Sequence, residues 1–415
     1  MSLSSILGVA TAFYFLSFTY VLAFYLPRAP FYFGATLIGI AISLVASMQR
    51  RYGNRKHTSR RAVVAILALP AIIAVSGSLN ARHYSTTEVV KAMGFLSVFL
   101  IATSAGLSFD LTAFRACVRA CWGGQLLLTI IILFYNNVNP IHGRLMGPFD
   151  PVSGGEVGLS GPNDVGNVAL VAFVLSPIAG WGGVCISLPI TFYAAYLASS
   201  RGTLLAIFLA FLVFVTVRES IATSAFMKGR VSPRGFLVMS LLAGTVLLGI
   251  LQMRAYLLQD IFRINDSDRG VGTGLTGRAD RWMILLEEWR KKPLFGHGYS
   301  ILKTGAIEDK LPLDGGYIMV ASELGLFGLF FFLIIIAQSL FVSVSWASRT
   351  RNNIPIVMLC YMLAFCLINV VESRIVGATT PVGLFFFFSI VCIAERAEIL
   401  RGIDNTSLLN ELRNR

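Results

Sequence analysis

The sequence predicts an all-α polytopic membrane protein with about twelve transmembrane helices. Of its 415 residues, 56% are hydrophobic and 13% are charged, which is about half the charged share of a soluble domain. The mean hydropathy of the chain is +0.74. Apolar runs of about 20 residues, the length at which an α-helix crosses a bilayer, recur along the whole chain.

Positive charges predict the orientation of these helices. The run QRRYGNRKHTSRR, after the second span, carries six basic residues and no acidic residue. Because cytoplasmic loops carry an excess of Lys and Arg, this run is expected inside the cell, and so are both termini. The first apolar run lacks the basic n-region and the cleavage site of a signal peptide, so it is interpreted as a retained span.

This topology divides the chain into regions. Residues 1–253 are predicted to form spans one to nine, and residues 313–395 to form spans ten to twelve. Residues 254–312 form a large outer loop, and residues 396–415 form an inner tail. The predicted spans lie at 5–26, 31–48, 62–79, 88–109, 122–135, 163–181, 185–198, from 203 onwards, 235–253, from within 313–325 to 346, 354–371 and 381–394.

The composition argues against several other classes of protein. The net charge of +13 invites a nucleic-acid partner, but the inner loops of a polytopic protein carry such a charge, so no nucleic acid is expected. Most of the six cysteines lie within apolar runs, which predicts no disulfide framework. Neither the pair Cys117 and Cys121 nor the four histidines have the spacing of metal ligands, so no metal and no cofactor are predicted.

Two polar positions beside predicted spans are candidate binding residues. Asn163 stands with Asp164 at the entrance of the sixth span, after an irregular outer loop. It either caps the helix or contacts a substrate. Arg201 lies in the tight turn SSRG, which is expected on the outer face. A charge at this depth either marks a functional site, where backbone donors also favour an anion, or extends to the lipid headgroups.

The large outer loop contains one predicted helix and a group of arginines. Apolar residues follow the i, i+3, i+4, i+7 spacing of an amphipathic helix, with a stripe suited to the lipid interface, at Trp282, Leu285, Leu286 and Trp289. Pro293 is expected to end this helix. Arg278 and Arg281 fall in its first turn, where they either bind an anion or contact lipid headgroups. Further on, Pro312 and Gly315-Gly316 predict a kinked entrance to the tenth span.

Four stretches, taken in order, resemble the O-antigen ligase and polymerase superfamily of bacterial inner-membrane proteins. They are SSRG with Arg201 after one span, Gly277-Arg278 followed by Trp282, PLFGHGYS, and DGGYIMVASELGLFG at the entrance of a span. The resemblance covers residues 161–340. It implies a GT-C-like membrane fold with a large periplasmic loop between two late spans.

The resemblance implies a metal-independent glycosyltransferase whose donor is a glycan on undecaprenyl pyrophosphate. Polymerases join this glycan to another lipid-linked repeat unit, which makes O-antigen or exopolysaccharide, whereas ligases join it to lipid A–core. In the family, paired periplasmic arginines hold the pyrophosphate, and Arg201 and Arg278 match those positions. Ligases also carry a histidine at the start of the following span. It is absent from the stretch LDGGY at 313–317, which favours a polymerase.

The expected chemistry suggests further site residues. Neutralising the charge of a pyrophosphate makes it a good leaving group, and the acceptor hydroxyl then needs at most a general base. Asp314 is the first candidate base, although it could equally cap the tenth span. His297 between two glycines is the second candidate, or else a turn residue, and Glu323 within an apolar span is the third. The remaining candidates for binding the pyrophosphate are Arg281, Asn163 and Tyr317.

One rival from another class is a lipid-linked oligosaccharide flippase, which would also need an outward-facing cationic cavity. A transporter would place charges deep within several spans and often show internal repeats, whereas the charges here gather at the outer face. The expected partners are the lipid bilayer, a lipid-linked glycan donor and acceptor, and a chain-length regulator protein. The expected location is the bacterial inner membrane, with the active site facing the periplasm.

Overall fold

The structure is a computed structural model, and the residues that it describes are helical, with connecting turns and no β-strand. The described ranges are 2–23, 60–83, 86–109, 111–135, 162–227, 274–299, 315–347, 352–372 and 381–393, with single positions at 37, 38, 41, 42, 45, 145 and 302.

Apolar α-helices dominate the described ranges, and two short 3₁₀ turns, Ala81–His83 and Ser176–Ala179, connect some of them. In chain order the α-helices are α1 (Leu3–Ala23), α2 (Arg60–Leu79), α3 (Thr86–Ser108), α4 (Leu111–Tyr135), α5 (Pro162–Leu175), α6 (Gly180–Leu197), α7 (Arg201–Met227), α8 (Gly274–Lys291), α9 (Gly316–Ala347), α10 (Asn353–Val371) and α11 (Pro381–Ile393).

The chain is a multi-pass membrane protein. Within the described ranges, five helical stretches are long and apolar enough to cross a membrane. They are Leu111–Tyr135, Asn163–Leu197, Arg201–Arg218, Gly316–Ala347 and Asn353–Val370. The predicted ninth span and most of the second lie outside the described residues, so the predicted number of spans stays a prediction.

Helices α5 and α6 fold back on each other, as the sequence predicts for the region near Trp181. The turn between them is the 3₁₀ segment Ser176–Ala179. Val165 and Val168 at the start of α5 share a buried cluster with Ala198, which directly follows α6. The start of α5 therefore lies beside the end of α6.

A run of phenylalanines on α11 forms the centre of the core. The residues from Phe385 to Phe388 are at most 2% exposed. Their rings contact aromatic side chains of α1, α3, α4, α9 and α10, and the closest centroid pair, Phe365 with Phe385, lies 4.4 Å apart. A helix that is apolar all round is buried all round, so the other helices pack around α11.

Helix α9 is broken at Gly325, where φ is +70° and ψ is −169°. The break lies well inside the helix and was not predicted, whereas Pro312 of the predicted kinked entrance lies outside the described residues. No local pattern marks the break, because its partner is a distant segment of the chain, residues 293–298, which lies just after α8 and is called the break segment below.

The break segment replaces the helical hydrogen bonds that the break removes. In an unbroken helix, the amides of Leu326 and Phe327 would donate to the carbonyls of Ser322 and Glu323. The new pairs are Leu326 N to Pro293 O at 2.8 Å, Phe327 N to Leu294 O at 3.3 Å, His297 N to Ser322 O at 3.0 Å and Gly298 N to Glu323 O at 2.9 Å. Each released backbone group thus has a partner, which buried backbone within a membrane protein requires.

Helix α2 closes the break from another side. Ser76 Oγ donates to Phe295 O at 2.6 Å and lies 3.2 Å from Glu323 O. Asn80 Nδ2 donates to Gly296 O at 3.3 Å. Side chains of α2 thus bind the break segment and α9 together, and the irregular backbone is enclosed by protein.

We expect Gly325→Ala to lower the melting temperature of the purified protein in detergent. A Cβ atom at this position would lie 2.1 Å from Leu294 O, and φ is +70°. This combination of φ and ψ is essentially restricted to glycine, and a residue with a side chain there costs about 1–3 kcal/mol. The backbone of the break segment can move away only by giving up its hydrogen bonds, so the total loss should be at least about 2 kcal/mol.

Gly123→Ala is the matched control. Gly123 is an exposed residue of α4, and a Cβ atom there would meet nothing within 4 Å. Since Ala is favoured over Gly in helices by about 0.8–1 kcal/mol, this variant should melt at the same temperature as the parent or slightly higher. Equal falls in both variants would contradict the account of the break.

Candidate functional site

The starts of α5 and α7 meet at one end of the helix bundle. A Cβ atom at Gly166 on α5 would lie 2.7 Å from the side chain of Ser200. Ser200 is buried, with its Oγ 2.9 Å from Thr203 Oγ1. Arg201, the first residue of α7, therefore lies near the start of α5, where Asn163 is found. Both Arg201 and Asn163 are half-buried.

A buried glutamate, through its carboxylate and its backbone carbonyl, ties α5, α9 and α10 together at this same end. Glu372 directly follows α10 and is 3% exposed. Asn167 on α5 donates from Nδ2 to Glu372 Oε2 at 3.0 Å. The amide of Gly316, at the start of α9, donates to Glu372 O at 3.0 Å. The entrance of α9 thus lies beside the start of α5.

Helix α8 reaches the entrance of α9 through Trp282. A Cβ atom at Gly315 would lie 2.6 Å from Trp282 Nε1, and Gly315 has φ +91°. Glycine at this position allows the indole to pack directly against the backbone. Arg278, which is half-buried, precedes Trp282 by about one helical turn. The predicted arginines Arg201 and Arg278 therefore belong to elements that meet at one end of the bundle.

The indole of Trp282 also offers a hydrogen-bond donor. Its Nε1 is buried, and no acceptor for it lies among the described residues. Buried donors are normally hydrogen-bonded, so this N–H is a candidate contact for a bound ligand. Asp314, the first candidate base, directly precedes Gly315 in the sequence but lies outside the described residues.

The other predicted site residues fall in two places. Arg281 is half-buried on α8, next to Trp282. Tyr317 is half-buried in the first turn of α9, and its hydroxyl donates to a carbonyl of α10 at 3.1 Å. His297 and Glu323 lie instead at the break in α9 and are 7% and 0% exposed. Since a helix rises about 1.5 Å per residue, the break at Gly325 is about 14 Å along α9 from its entrance.

Helix α8 turns a different face to the protein than the sequence predicts. Its end at Lys291 agrees with the predicted stop at Pro293, but it begins at Gly274, so the prediction that Arg278 and Arg281 lie in its first turn is wrong. Leu285, however, is fully buried and its carbonyl accepts a hydrogen bond from Ser322 Oγ at 2.7 Å. The exposed apolar side chains include Met283, at 63%. The prediction of a lipid-facing stripe is wrong for Leu285, which the first segment of α9 covers, whereas Leu286 is 37% exposed.

The ring of His297 is bound to the last turns of α8. Its Nε2 lies 2.9 Å from Glu288 O, and because a carbonyl only accepts, Nε2 carries the proton. Glu288 Oε2 lies 3.4 Å from the same nitrogen. Burial lowers the pKa of His297 below its ordinary value, and the hydrogen bond to the Glu288 backbone offsets part of this shift. The ring is therefore uncharged at neutral pH and acts as a hydrogen-bond donor.

Sequence reasoning missed three members of this end of the bundle: Asn167, the indole N–H of Trp282, and the buried carboxylate of Glu372. A polar residue inside an apolar span usually has a partner, which could have marked Asn167. No pattern in the sequence joins it to Glu372, which lies 205 residues away.

The chemistry of this end suits an anionic ligand. The guanidinium groups of Arg201 and Arg278 present planar forks of donors that match phosphate oxygens. Partial burial reduces the screening of their charge by salt. In the parts of the chain that the structure describes, no cluster of three or more His, Cys, Asp or Glu side chains could hold a metal ion.

The central part of this chain is similar to a known family. Residues 186–333 match the model of the family described as O-antigen ligase, Wzy_C. The match runs from α6 into α9 and contains Arg201, α8, the break segment and the entrance of α9. It confirms the resemblance to the O-antigen ligase and polymerase superfamily and does not distinguish a polymerase from a ligase. No curated protein matches the chain.

A double-mutant cycle tests the pairing of Asn167 with Glu372. Each of Asn167→Leu and Glu372→Leu should lower the melting temperature, because hydrogen bonds to charged groups contribute about 1.5–3 kcal/mol. In free energy of unfolding, the double variant should lose about 1–3 kcal/mol less than the sum of the two single losses, because either change alone already removes the hydrogen bond. Thermal unfolding in detergent provides the measurement, and strictly additive losses would argue against the pair.

Proposed function

We propose that the chain is a membrane glycosyltransferase that polymerises undecaprenyl-pyrophosphate-linked repeat units into O-antigen or exopolysaccharide. The proposal places the reaction at the periplasmic face of the bacterial inner membrane. One observation carries it: the elements that bear Arg201 and Arg278 meet at one end of an apolar helix bundle. Both arginines also lie within the residues that match the O-antigen ligase family.

In the proposed reaction, Arg201 and Arg278 bind the pyrophosphate of the donor. The rest of the donor headgroup is contacted by Arg281, Asn163, Tyr317 and the indole N–H of Trp282. An acceptor hydroxyl oxygen forms a bond to the anomeric carbon of the donor sugar, while the bond from that carbon to the pyrophosphate oxygen breaks. Undecaprenyl pyrophosphate leaves with the bonding electron pair, and the arginines stabilise the negative charge that develops on it.

A general base takes the proton of the acceptor hydroxyl. Asp314 is the proposed base, because it directly precedes Gly315 at the entrance where Trp282 packs. Glu323 is the alternative carboxylate, at the break in α9. The ring of His297 already donates to Glu288 O, and a base there would have to use its other nitrogen, Nδ1.

A ligase is the second candidate function, because the matching family is described as O-antigen ligase. A ligase would use the same donor and the same arginines but would accept lipid A–core. The stretch at 313–317 lacks the histidine expected of a ligase, which favours the polymerase. Purified protein given only the lipid-linked repeat unit should form polymer if it is a polymerase, whereas a ligase should form product only when lipid A–core is added.

Substitution of either arginine is expected to abolish polymer formation. Arg201→Ala removes a guanidinium group, and Arg278→Lys keeps the charge but loses the bidentate fork, which lysine cannot reproduce. Removing one stabilising donor at a developing charge typically lowers turnover about 10²–10³-fold. The measurement is the glycan ladder made by purified protein in liposomes, together with the level of membrane insertion, which should not change.

Arg218→Lys is the matched control. Arg218 lies on α7, as Arg201 does, but near its other end, where Nη1 donates to Asn353 Oδ1 at 2.8 Å. This variant should keep a normal ladder. Normal ladders in the Arg201 and Arg278 variants as well would refute the proposed site.

Polymer formation is also expected to survive chelation. The proposed mechanism stabilises the leaving pyrophosphate with guanidinium groups, so it requires no divalent cation. Turnover should therefore be unchanged, within about twofold, when EDTA replaces Mg²⁺ in the liposome assay. A loss of turnover with EDTA that is restored by added Mg²⁺ would overturn the metal-independent mechanism.

A further inference from the structure

Helix α8 is fixed at its C-terminal end by side chains that the proposed reaction does not use. The last four carbonyls of a helix have no partner within it. Glu288 O is one of these in α8, and the ring of His297 donates to it at 2.9 Å. His297 itself is held in place by its own amide, which donates to Ser322 O across the break in α9.

A second contact joins the same two helices one turn earlier. Ser322 Oγ donates to Leu285 O at 2.7 Å and also lies 2.9 Å from Ile318 O. Leu285 and Ser322 are both fully buried. On the other side, Lys292 Nζ donates to Asn80 Oδ1 on α2. The end of α8 is therefore bound to α9 and α2 through polar contacts that involve two of its own carbonyls.

The N-terminal half of α8 carries the residues at the proposed site. Arg278 lies about 15 Å before Glu288 along the helix axis. A helix behaves as a rod over this length, so a tilt of about 4° at its C-terminal end moves Arg278 by about 1 Å. A misplacement of about 1 Å at a reacting group can lower the rate about 100-fold.

We propose that His297 is a positioning residue, which fixes α8 to the broken helix α9 through Glu288 O and so sets where Arg278 and Trp282 lie at the entrance of α9. The proposal rests on the proposed function and assigns His297 a role other than general base. His297 is 7% exposed, and it lies at the break, about 14 Å along α9 from the entrance. The ring contacts α8 by donating a hydrogen bond from Nε2 to Glu288 O, and this contact needs no basic nitrogen.

Two substitutions separate a positioning residue from a base. His297→Gln keeps an N–H donor of similar reach but has no basic nitrogen, whereas His297→Ala removes both. If His297 is a positioning residue, the Gln variant should keep at least about a third of the parent kcat/KM. The Ala variant should lose roughly 10- to 100-fold. The assay is polymer formation from a short-chain polyprenyl-pyrophosphate repeat unit by the full chain in liposomes.

A second measurement does not depend on activity. Amide hydrogen exchange of residues 274–291 should be roughly five- to tenfold faster in His297→Ala than in the parent, because α8 loses a C-terminal hydrogen bond. Exchange in His297→Gln should match the parent. Ser322→Ala, which removes the other side-chain contact to α8, should also speed exchange in this helix and serves if His297→Ala does not insert into the membrane.

The outcomes are distinct. Equal loss of activity in the Gln and Ala variants would identify a base and overturn the proposal, and so would unchanged exchange in α8 when the ring is removed. If the parent protein makes no polymer, the proposed function fails, and the exchange measurements alone decide whether His297 holds α8. Retained activity in the Gln variant together with loss in the Ala variant supports the positioning role.

Discussion

The architecture depends on one constraint: backbone hydrogen-bonding groups buried in a membrane protein need partners. Gly325 interrupts α9 and would leave amides and carbonyls without helical partners on both sides of the break. The break segment binds the carbonyls of Ser322 and Glu323 and the amides of Leu326 and Phe327. The segment that follows α8 is thereby joined to a long apolar helix by backbone bonds, which any sequence with the right turn can make. Side chains of α2 then enclose the junction.

The proposed site is a consequence of this junction. Because α8 is fixed to the first segment of α9, Trp282 packs on Gly315 and Arg278 lies near the entrance of α9. The buried pair of Asn167 and Glu372 then connects this entrance to α5, and through α5 to the start of α7. Helix α8 and four apolar helices, α5, α7, α9 and α10, thus meet at one end of the bundle, where guanidinium groups and apolar surface are adjacent. A lipid-linked anion needs both.

Local signals in the sequence predicted several turns and helix ends of this fold. The turn near Trp181, the start of α9 within a Gly-rich stretch, and the end of α8 before Pro293 all follow from residues close to the feature itself. The break at Gly325 could not be predicted from nearby residues. A glycine in an apolar helix has no distinguishing neighbours, and the backbone groups at this break bind the distant break segment. The inner face of α8 was misjudged for the same reason, since its apolar stripe fits lipid and protein equally well. Pairs such as Asn167 with Glu372 are long-range contacts and leave no local pattern.

The anchoring of both ends of residues 300–314 has an evolutionary consequence. Tyr299, at the end that follows the break segment, is 1% exposed and packs on Phe95 at a centroid distance of 4.8 Å, while Gly315 packs under Trp282. Leu302 is also buried in the core and belongs to the first anchor, so only insertions and deletions within 303–314 leave the membrane framework in register. Within 293–298, by contrast, a single added or lost residue would displace every backbone bond to α9. The length of the chain between the two anchors can therefore vary, while the break segment must keep its length.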